Sequence, residues 1–326
     1  MRELRLLIAQ NYGPLLALAV FVLMFAIYVG NHAAGLTVPV VTTAANKGVL
    51  LALVAMAQTL PILTGGLDLS VGMVFVLANC VASAVVVGSP LQAALGIVLV
   101  LGIGALAGLI NGCIVVYGRL QPIITTLATG AVYYGIALWI RPSPGGDVQE
   151  DIADFMTYTV FEVVPTSLVL LLLVVLLVWL PFRRSVLGRG CYAAGSAEGA
   201  AYMSGVRIGH SKLAAYTLAS FLAALSGLML TFVTYSGEAS APIGNTYTLN
   251  SIASVVIGGT SLYGGAGGAI GSIFGAFVLR TIDDLLFVFD LEPLWQPLFQ
   301  GVILLAAVSL GAARVLRIRN RLELFR

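Results

Sequence analysis

The stretch that decides the fold is RRSVLGRGCYAAGSAEGAAYMSGVRIGHSK, residues 183–212. It holds five basic residues against one acid, Glu198, whereas the chain on either side of it is almost unbroken hydrocarbon. A segment this long and this polar cannot lie in lipid, because its polar groups would find no partners there. The stretch therefore marks one face of a membrane, and its basic residues indicate the cytoplasmic face.

The composition of the whole chain agrees with a membrane protein. Of its 326 residues, 60% are hydrophobic and only 9% are charged, whereas soluble domains carry roughly 25% charged residues. A spanning helix needs ~20 mostly apolar residues. We therefore predict an all-α, polytopic integral membrane protein of about ten transmembrane helices, one of which (248–260) is short or re-entrant because it gives only ~20 Å of helix. The predicted spans are 14–30, 48–64, 71–88, 93–117, 122–140, 160–181, 212–236, 248–260, 266–282 and 294–313.

The charges between these spans support an even number of membrane crossings on each side of the basic stretch. Arg2 and Arg5 place the N-terminus inside, and the C-terminal tail is rich in arginine, so six crossings precede residues 183–212 and four follow them. The segment 142–165 is acidic and without Lys or Arg, which indicates the outer face. By the same count four further acids fall outside. The tail residues are Arg314, Arg317, Arg319, Arg321 and Arg326, and the four acids are Asp283, Asp284, Asp290 and Glu292.

Glycines recur at the spacing that lets membrane helices pack closely. Gly104, Gly108 and Gly112 form one such series, and Gly267, Gly271 and Gly275 form another. Packing within the bundle is the simpler interpretation, and a dimer interface is the alternative. The stretches 65–69 and 257–265 also resemble one another, which suggests the weak internal repeat that transporters often show.

Polar residues inside or beside apolar segments are candidates for a translocation path. Asp68 lies close to the bilayer in TGGLDLSVG (64–72), and an ionisable group there suggests a functional site. A helix-capping role is the alternative for Asp68. The uncharged groups could line a path for a neutral polar solute, or could equally form interhelical hydrogen bonds worth ~1 kcal/mol each. The candidate path residues are Asp68, Ser70, Asn111, Thr125, Thr126 and Asn250.

Motifs for energy capture or catalysis are absent from the sequence. Lys47 and Lys212 follow Asn46 and Ser211 rather than glycine, so there is no phosphate-binding Walker loop. There is no zinc-protease or nucleophile-elbow motif, and the three cysteines and two histidines are too scattered for a metal site. We conclude that the chain is not an enzyme. Either a partner supplies energy or the protein is passive.

Four motifs, in order, resemble one known family. They are TGGLDLSVG (64–72), NG with GRLQPIITTLATG (111–130), GRGCYAAGSAEGAAYMSGV (188–206) and SIASVVIGGTSLYGGAGG (251–268). Together they resemble the inner-membrane permease of monosaccharide ABC importers of the ribose, xylose, arabinose and galactose type. The similarity extends from about Ala44 to Gln300.

The resemblance implies that residues 1–326 form a single ABC-importer transmembrane domain. It implies a second permease subunit, identical or related, cytoplasmic ABC ATPases that bind the ATP, and a periplasmic sugar-binding protein. The chain itself would carry no cofactor and would lie in the bacterial inner membrane with both termini in the cytoplasm. Residues 183–212 would be the cytoplasmic coupling loop, in which the family's ATPase-docking residues correspond to Gly188, Tyr192, Gly195, Glu198, Ala200, Ala201, Ser204 and Gly205.

The chain departs from the family pattern at two places, and both changes involve acidic residues. The segment YTLNSIA (247–253) has neutral residues where the family has an acidic pair, and Asp283-Asp284 stands where Asn-Gly is common. These changes leave the class intact but put the precise substrate in doubt. The loop motifs favour a monosaccharide, and a polyol or a branched-chain amino acid is the alternative within transport. A passive channel or membrane scaffold is the alternative from a different class.

Overall fold

The computed structural model describes residues 12–292, 295, 298–299, 301–302 and 305. Within this part the chain is nearly all helical, which confirms the all-α prediction. Arg2, Arg5 and all five tail arginines lie outside the described residues, as does most of the predicted span 294–313. The inward orientation of the two termini therefore stays a prediction.

Residues 12–292 contain twelve α-helices and one short hairpin. Residues 166–184 form one continuous helical stretch that contains a π-helical segment, Val175–Trp179. The hairpin pairs β1 (Thr159–Val160) with β2 (Val164–Pro165). The helices are α1 Tyr12–Asn31, α2 Val38–Leu63, α3 Val71–Val85, α4 Pro90–Val116, α5 Pro122–Ile140, α6 Glu150–Thr157, α7 Thr166–Val174, α8 Leu180–Arg184, α9 Val186–Met203, α10 Ile208–Thr234, α11 Ala241–Ile257 and α12 Ala269–Val288.

Six helical segments of the described chain are long and apolar enough to cross a membrane. They are α1, α2, α4, α5, α10 and the continuous stretch Thr166–Arg184. Helix α3 is shorter, and α12 carries three charged residues near its end. A multi-pass membrane protein is thus confirmed, whereas the count of ten crossings is not.

Two of the predicted segments have a different shape in the structure. Residues 248–257 of the window 248–260 are the later part of α11, which begins at Ala241 with Pro242 in its first turn, where proline's missing N–H costs nothing. Residues 183–212, which the resemblance identifies as a coupling loop, are mostly helical. Ser185 starts α9 by accepting a hydrogen bond from the Gly188 N–H at 3.0 Å, and α10 begins before Lys212.

Helix α2 is the centre of the bundle. Its residues from Gly48 to Leu63 are buried, and α10, α11 and α12 all pack on it. The glycine series act as expected within the chain. A Cβ on Gly104 would lie 2.2 Å from the Ala224 Cβ of α10, and one on Gly275 would lie 2.1 Å from the Ser254 carbonyl oxygen of α11. Close helix packing inside the bundle is confirmed.

Contacts between distant segments define two ends of the bundle. At one end the Asn46 side chain donates to the Thr157 carbonyl at 2.8 Å, and Lys47 lies 3.7 Å from Asp284. The acidic segment 142–165 and Asp284 therefore share one end, as the charge count predicts. At the other end the Gly265 N–H donates to the carbonyl of Leu63, the last residue of α2.

Helices α3 and α11 are both short, and they begin side by side. A Cβ on Gly72 would lie 1.9 Å from the Gly244 carbonyl oxygen. From this junction α3 runs toward Ser83, which lies beside Gly237, whereas α11 runs to Gly258 at the start of α12. At ~1.5 Å per residue they measure ~22 and ~26 Å, less than the ~30 Å hydrocarbon core. The sequence predicts one short segment, and the structure contains two.

Candidate functional site

A buried hydrogen-bond network joins the segment before α3 to α4 and α5. The Asp68 Oδ1 accepts from the Ser70 N–H at 2.9 Å and from the Ser70 hydroxyl at 2.6 Å. The Asn111 amide donates to the Ser70 Oγ at 2.8 Å, and the Tyr133 hydroxyl donates to the Asn111 Oδ1 at 3.0 Å. Asp68, Ser70 and Asn111 have no solvent exposure. The network holds residues 64–70 inside the bundle.

Thr126 adds a second attachment to the same segment. Its hydroxyl accepts from the Leu69 N–H at 2.9 Å. Asp68, Ser70, Asn111 and Thr126, four of the six candidate path residues, therefore meet in one place. Thr125 is buried nearby on α5, and its hydroxyl has no partner among the described residues.

The sequence did not single out Tyr133, because an aromatic residue in an apolar helix is usually a core residue. It lies seven positions, about two helical turns, after Thr126, so both side chains share one face of α5. That spacing was the available signal. Asp68 hydrogen-bonds to Ser70, the residue that precedes α3. Asp68 therefore supports the start of this helix through Ser70 and does not cap it directly.

Asn250 is separate from this network. It lies on α11 and is half-exposed, and Asn245 and Thr246, one turn earlier, are exposed. The sequence reasoning missed Asn245 and Thr246 because it placed the start of the helix after them. Among the described residues none of these three side chains has a hydrogen-bond partner.

Helix α9 is anchored against both glycine-rich stretches. Gly195 fits so closely that a Cβ there would lie 2.1 Å from the Leu63 carbonyl oxygen and 2.5 Å from the Gly265 nitrogen. The Tyr192 hydroxyl donates to the Gly267 carbonyl at 2.9 Å. The motifs around residues 65, 195 and 265 are thus in direct contact at one end of the bundle.

The second part of α9 turns away from this anchor. Ala197 is non-helical, with φ −161° and ψ 92°, and the residues after it are mostly exposed. Glu198 forms an ion pair of 2.7 Å with Lys212. Tyr202 is 75% and Met203 87% exposed, which is unusual for large apolar side chains outside lipid. We call residues 198–205 the exposed turn.

An open cavity of about 620 Å³ lies beside the exposed turn. Its lining combines apolar and basic side chains, which suits a protein partner better than a small ligand. Arg207 and His210 supply the polar part of the wall. The lining residues are Tyr202, Met203, Gly205, Val206, Arg207, Ile208, Gly209 and His210.

The predicted coupling residues divide into two groups. Gly188 and Ala201 are buried, and Tyr192 and Gly195 are half-buried anchors. Glu198, Ala200, Ser204 and Gly205 are exposed. The sequence reasoning missed Tyr202 and Met203, whose exposure depends on the kink at Ala197.

The anchor of α9 gives a direct prediction. We expect Tyr192→Phe, which removes only the hydroxyl that bonds Gly267, to lower the free energy of unfolding by about 1 kcal/mol. Tyr202→Phe is the matched control, since its side chain is exposed and makes no hydrogen bond with the described residues. Thermal unfolding in detergent measures both. Equal stability of the two variants would contradict the anchoring role.

The part of the chain that the structure describes contains no cluster of three or more His, Cys, Asp or Glu side chains able to hold a metal ion. The site residues are hydrogen-bonding groups and packing residues. The side chains of the buried network pair mainly with one another, whereas most residues of the exposed turn face outward.

Comparison with known proteins also indicates a membrane transport protein. The profile of the family described as "Branched-chain amino acid transport system / permease component" matches residues 40–308. The ribose import permease protein of Bacillus subtilis (strain 168) is 32% identical over 306 residues, 93% of each chain. The D-allose transport system permease protein of Escherichia coli (strain K12) is 31% identical over 92% of this chain and 91% of its own. The fructose import permease protein of Rhizobium meliloti is 30% identical over 91% of this chain and 84% of its own. No solved structure gives a significant match.

Proposed function

The chain belongs to the family described as the permease component of branched-chain amino acid transport systems, and we propose that it forms the translocation path of a monosaccharide importer driven by a separate ATPase. The sugar class rests on the relatives, whose names include ribose, allose and fructose and which align over most of both chains. The family's description names an amino acid instead. Full-length relatives at 30% identity or more are a closer guide to the solute than the name of a broad family.

The observation that carries the partner proposal is the exposed turn. The exposed turn carries Tyr202 and Met203 and lies beside Arg207. It is at the end of the bundle where the glycine-rich motifs converge. Exposed aromatic and Met side chains are enriched at protein interfaces, as is arginine. We infer that a cytoplasmic ABC ATPase docks here and binds the ATP. Gly188, Tyr192, Gly195 and Ala201 would hold the turn in place, and Glu198, Ala200, Ser204 and Gly205 would face the partner.

The remaining parts of the proposal come from the same resemblance. A second permease subunit would complete the path, and a periplasmic binding protein would deliver the sugar at the end that carries residues 142–165. The protein would lie in the bacterial inner membrane with residues 183–212 and both termini in the cytoplasm.

Transport in liposomes tests the function. The permease, its ATPase and the binding protein should together take up radiolabelled ribose, allose or fructose when ATP is present, and should not take up leucine. Leucine uptake would favour the amino-acid alternative. Solute leakage without ATP would favour a passive channel.

The docking surface gives a further prediction. We expect Tyr202→Ala combined with Met203→Ala to weaken association with the ATPase by at least ~100-fold, since two buried interface anchors cost about 1.5 kcal/mol or more each. The control is Phe161→Ala, because Phe161 is 90% exposed but lies on the hairpin segment predicted to face outside. Co-purification and ATPase stimulation measure the loss. Unchanged association in the double variant would place the partner elsewhere.

The ion pair of Glu198 with Lys212 allows a charge-swap test of the same surface. Glu198→Arg should weaken ATPase association, because it reverses a charge on the exposed turn. The double variant Glu198→Arg with Lys212→Glu can re-form the pair within the chain. If the double variant restores association fully, the carboxylate acts inside the permease. If it does not, Glu198 contacts the partner.

A further inference from the structure

Helix α11 exposes polar groups in its first half, whereas two other helices of the bundle expose hydrocarbon. Asn245 and Thr246 are exposed. In contrast, large exposed residues in the middle of α4 and α5 are apolar, and Leu106 and Val132 are examples. Lipid offers no hydrogen-bonding partner, and an unsatisfied amide or hydroxyl there costs several kcal/mol. Leu249 on the same face is 52% exposed and can meet lipid, whereas Asn245 and Thr246 need water or a polar partner.

The hydrogen-bonding capacity of this face is unused. On the same helix the Thr248 hydroxyl donates to the Gly244 carbonyl at 3.0 Å, and the Ser254 hydroxyl donates to the Asn250 carbonyl at 2.7 Å. The side chains of Asn245, Thr246 and Asn250 make no such bond within the described chain. Two amides and one hydroxyl remain available to a ligand.

These groups lie close to the junction of the two short helices, α3 and α11. Gly244 contacts Gly72 at the start of α3, and Asn245 and Thr246 follow it directly. The junction lies between the two ends of the bundle, since α3 and α11 run from it in opposite directions. Helix α11 has no charged residue over its 17 positions. An uncharged surface with both donors and acceptors suits the hydroxyl groups of a neutral solute.

We propose that Asn245, Thr246 and Asn250 bind hydroxyl groups of the transported solute at the middle of its path. This rests on the proposed function and adds its contact residues. Each amide donates and accepts, and the threonine hydroxyl does both, so together they can follow a polyhydroxylated molecule as its orientation changes.

Cysteine accessibility in the assembled importer tests the proposal. The background protein carries Cys113→Ala, because Cys80 and Cys191 are buried and burial raises the pKa of the Cys191 thiol to about 12, which keeps it protonated and unreactive. Asn245→Cys and Thr246→Cys are then treated with the charged reagent methanethiosulfonate ethyltrimethylammonium. Leu106→Cys on α4 and Val132→Cys on α5 are the lipid-facing controls. We expect the α11 cysteines to react at least ~10-fold faster than the controls, because lipid excludes the charged reagent.

Two outcomes overturn the proposal. One is equally slow modification of the α11 and control cysteines. The other is that Asn245→Cys forms an oxidative cross-link between two copies of the chain but does not react with the reagent. That result would show that this face packs against a helix and does not line a path. Labelling requires neither ATP nor uptake, so a failure of transport would count against the proposed function and leave this result standing.

The contribution of a hydroxyl contact can be measured separately. Thr246→Val keeps the shape of the side chain and removes its hydroxyl, whereas Thr246→Ser keeps the hydroxyl. We expect the valine variant to lose most of its ATP-dependent uptake and the serine variant to keep it, at equal thermal stability. Equal uptake by the two variants would remove Thr246 from the contact set.

Discussion

Gly72→Ala is expected to destabilise the protein by about 3 kcal/mol or more, the upper end of the cost of overpacking, and to abolish recovery of folded material. An added Cβ would lie 1.9 Å from the Gly244 carbonyl oxygen, 2.4 Å from the Thr248 hydroxyl and 2.7 Å from the Gly244 carbonyl carbon. Two of these three atoms belong to the backbone. No rotamer change can relieve the clash with the backbone atoms, so α3 and α11 must move apart.

Movement at this junction would break contacts on both helices. Gly244 is itself closely packed, since a Cβ there would lie 3.0 Å from the Met73 sulfur and 3.1 Å from the Gly72 carbonyl oxygen. The Gly72 N–H also donates to the Thr248 hydroxyl at 3.1 Å, and this bond would be lost as the helices separate. The cost therefore includes packing and an unsatisfied buried donor.

Gly102→Ala is the matched control. Gly102 lies inside α4, is exposed, and has nothing within 4 Å of the position of an added Cβ. Alanine in a helix interior is favoured over glycine by about 1 kcal/mol, so this variant should be as stable as the parent or more so. Thermal unfolding in detergent, followed by size-exclusion recovery, compares the two. A normally folded Gly72→Ala protein would show that α3 and α11 do not meet as the structure places them.

This junction also shows where sequence reasoning about the fold stops. Hydropathy locates the long spans α4 and α5 almost to the residue, because ~20 apolar residues need no tertiary information to be recognised. It cannot locate α11, whose first turns contain Pro242, Asn245 and Thr246 and read as a polar connection. Whether such a turn is helical depends on Gly72 and its neighbours on another helix.

The same limit applies to the candidate site. Asp68, Asn111 and Thr126 could be chosen from the sequence because polar residues are rare in apolar segments. Their convergence could not be derived, since it depends on residues 64–70 folding back between α4 and α5. The exposed turn was recognisable as a polar segment, but the exposure of Tyr202 and Met203 follows from a backbone kink that no residue type requires.

Asp68→Ala is expected to have the second largest effect, a loss of about 3 kcal/mol or more. The Asp68 Oδ1 accepts two hydrogen bonds from Ser70, and both donors would remain buried without a partner, at about 1–3 kcal/mol each. The loss would also release the Ser70 hydroxyl, which accepts the Asn111 amide. Residues 64–70 would then be held mainly by the Leu69 bond to Thr126.

Asp68→Asn separates the acceptor from the charge. The asparagine Oδ1 can accept the same two bonds from Ser70, so this variant should lose only about 1 kcal/mol, a value typical of one buried hydrogen bond. Asn250→Ala is the control, because its half-exposed side chain has no partner in the described chain, and such substitutions usually change stability by less than about 0.5 kcal/mol. Thermal unfolding ranks the three variants. If Asp68→Asn is as unstable as Asp68→Ala, the negative charge rather than the acceptor holds the network.

Uptake by the folded Asp68→Asn protein then tests the role of the network in transport. The Asp68 Oδ2 is buried without a hydrogen-bond partner among the described residues, and it is the atom that the substitution replaces by an amide nitrogen. A path residue would act through that atom. We therefore expect a transport role of Asp68 to appear as lost uptake at nearly unchanged stability, whereas a purely structural role requires the two to fall together. Because Asp68→Asn preserves the bonds that hold residues 64–70, it can distinguish these roles where Asp68→Ala cannot.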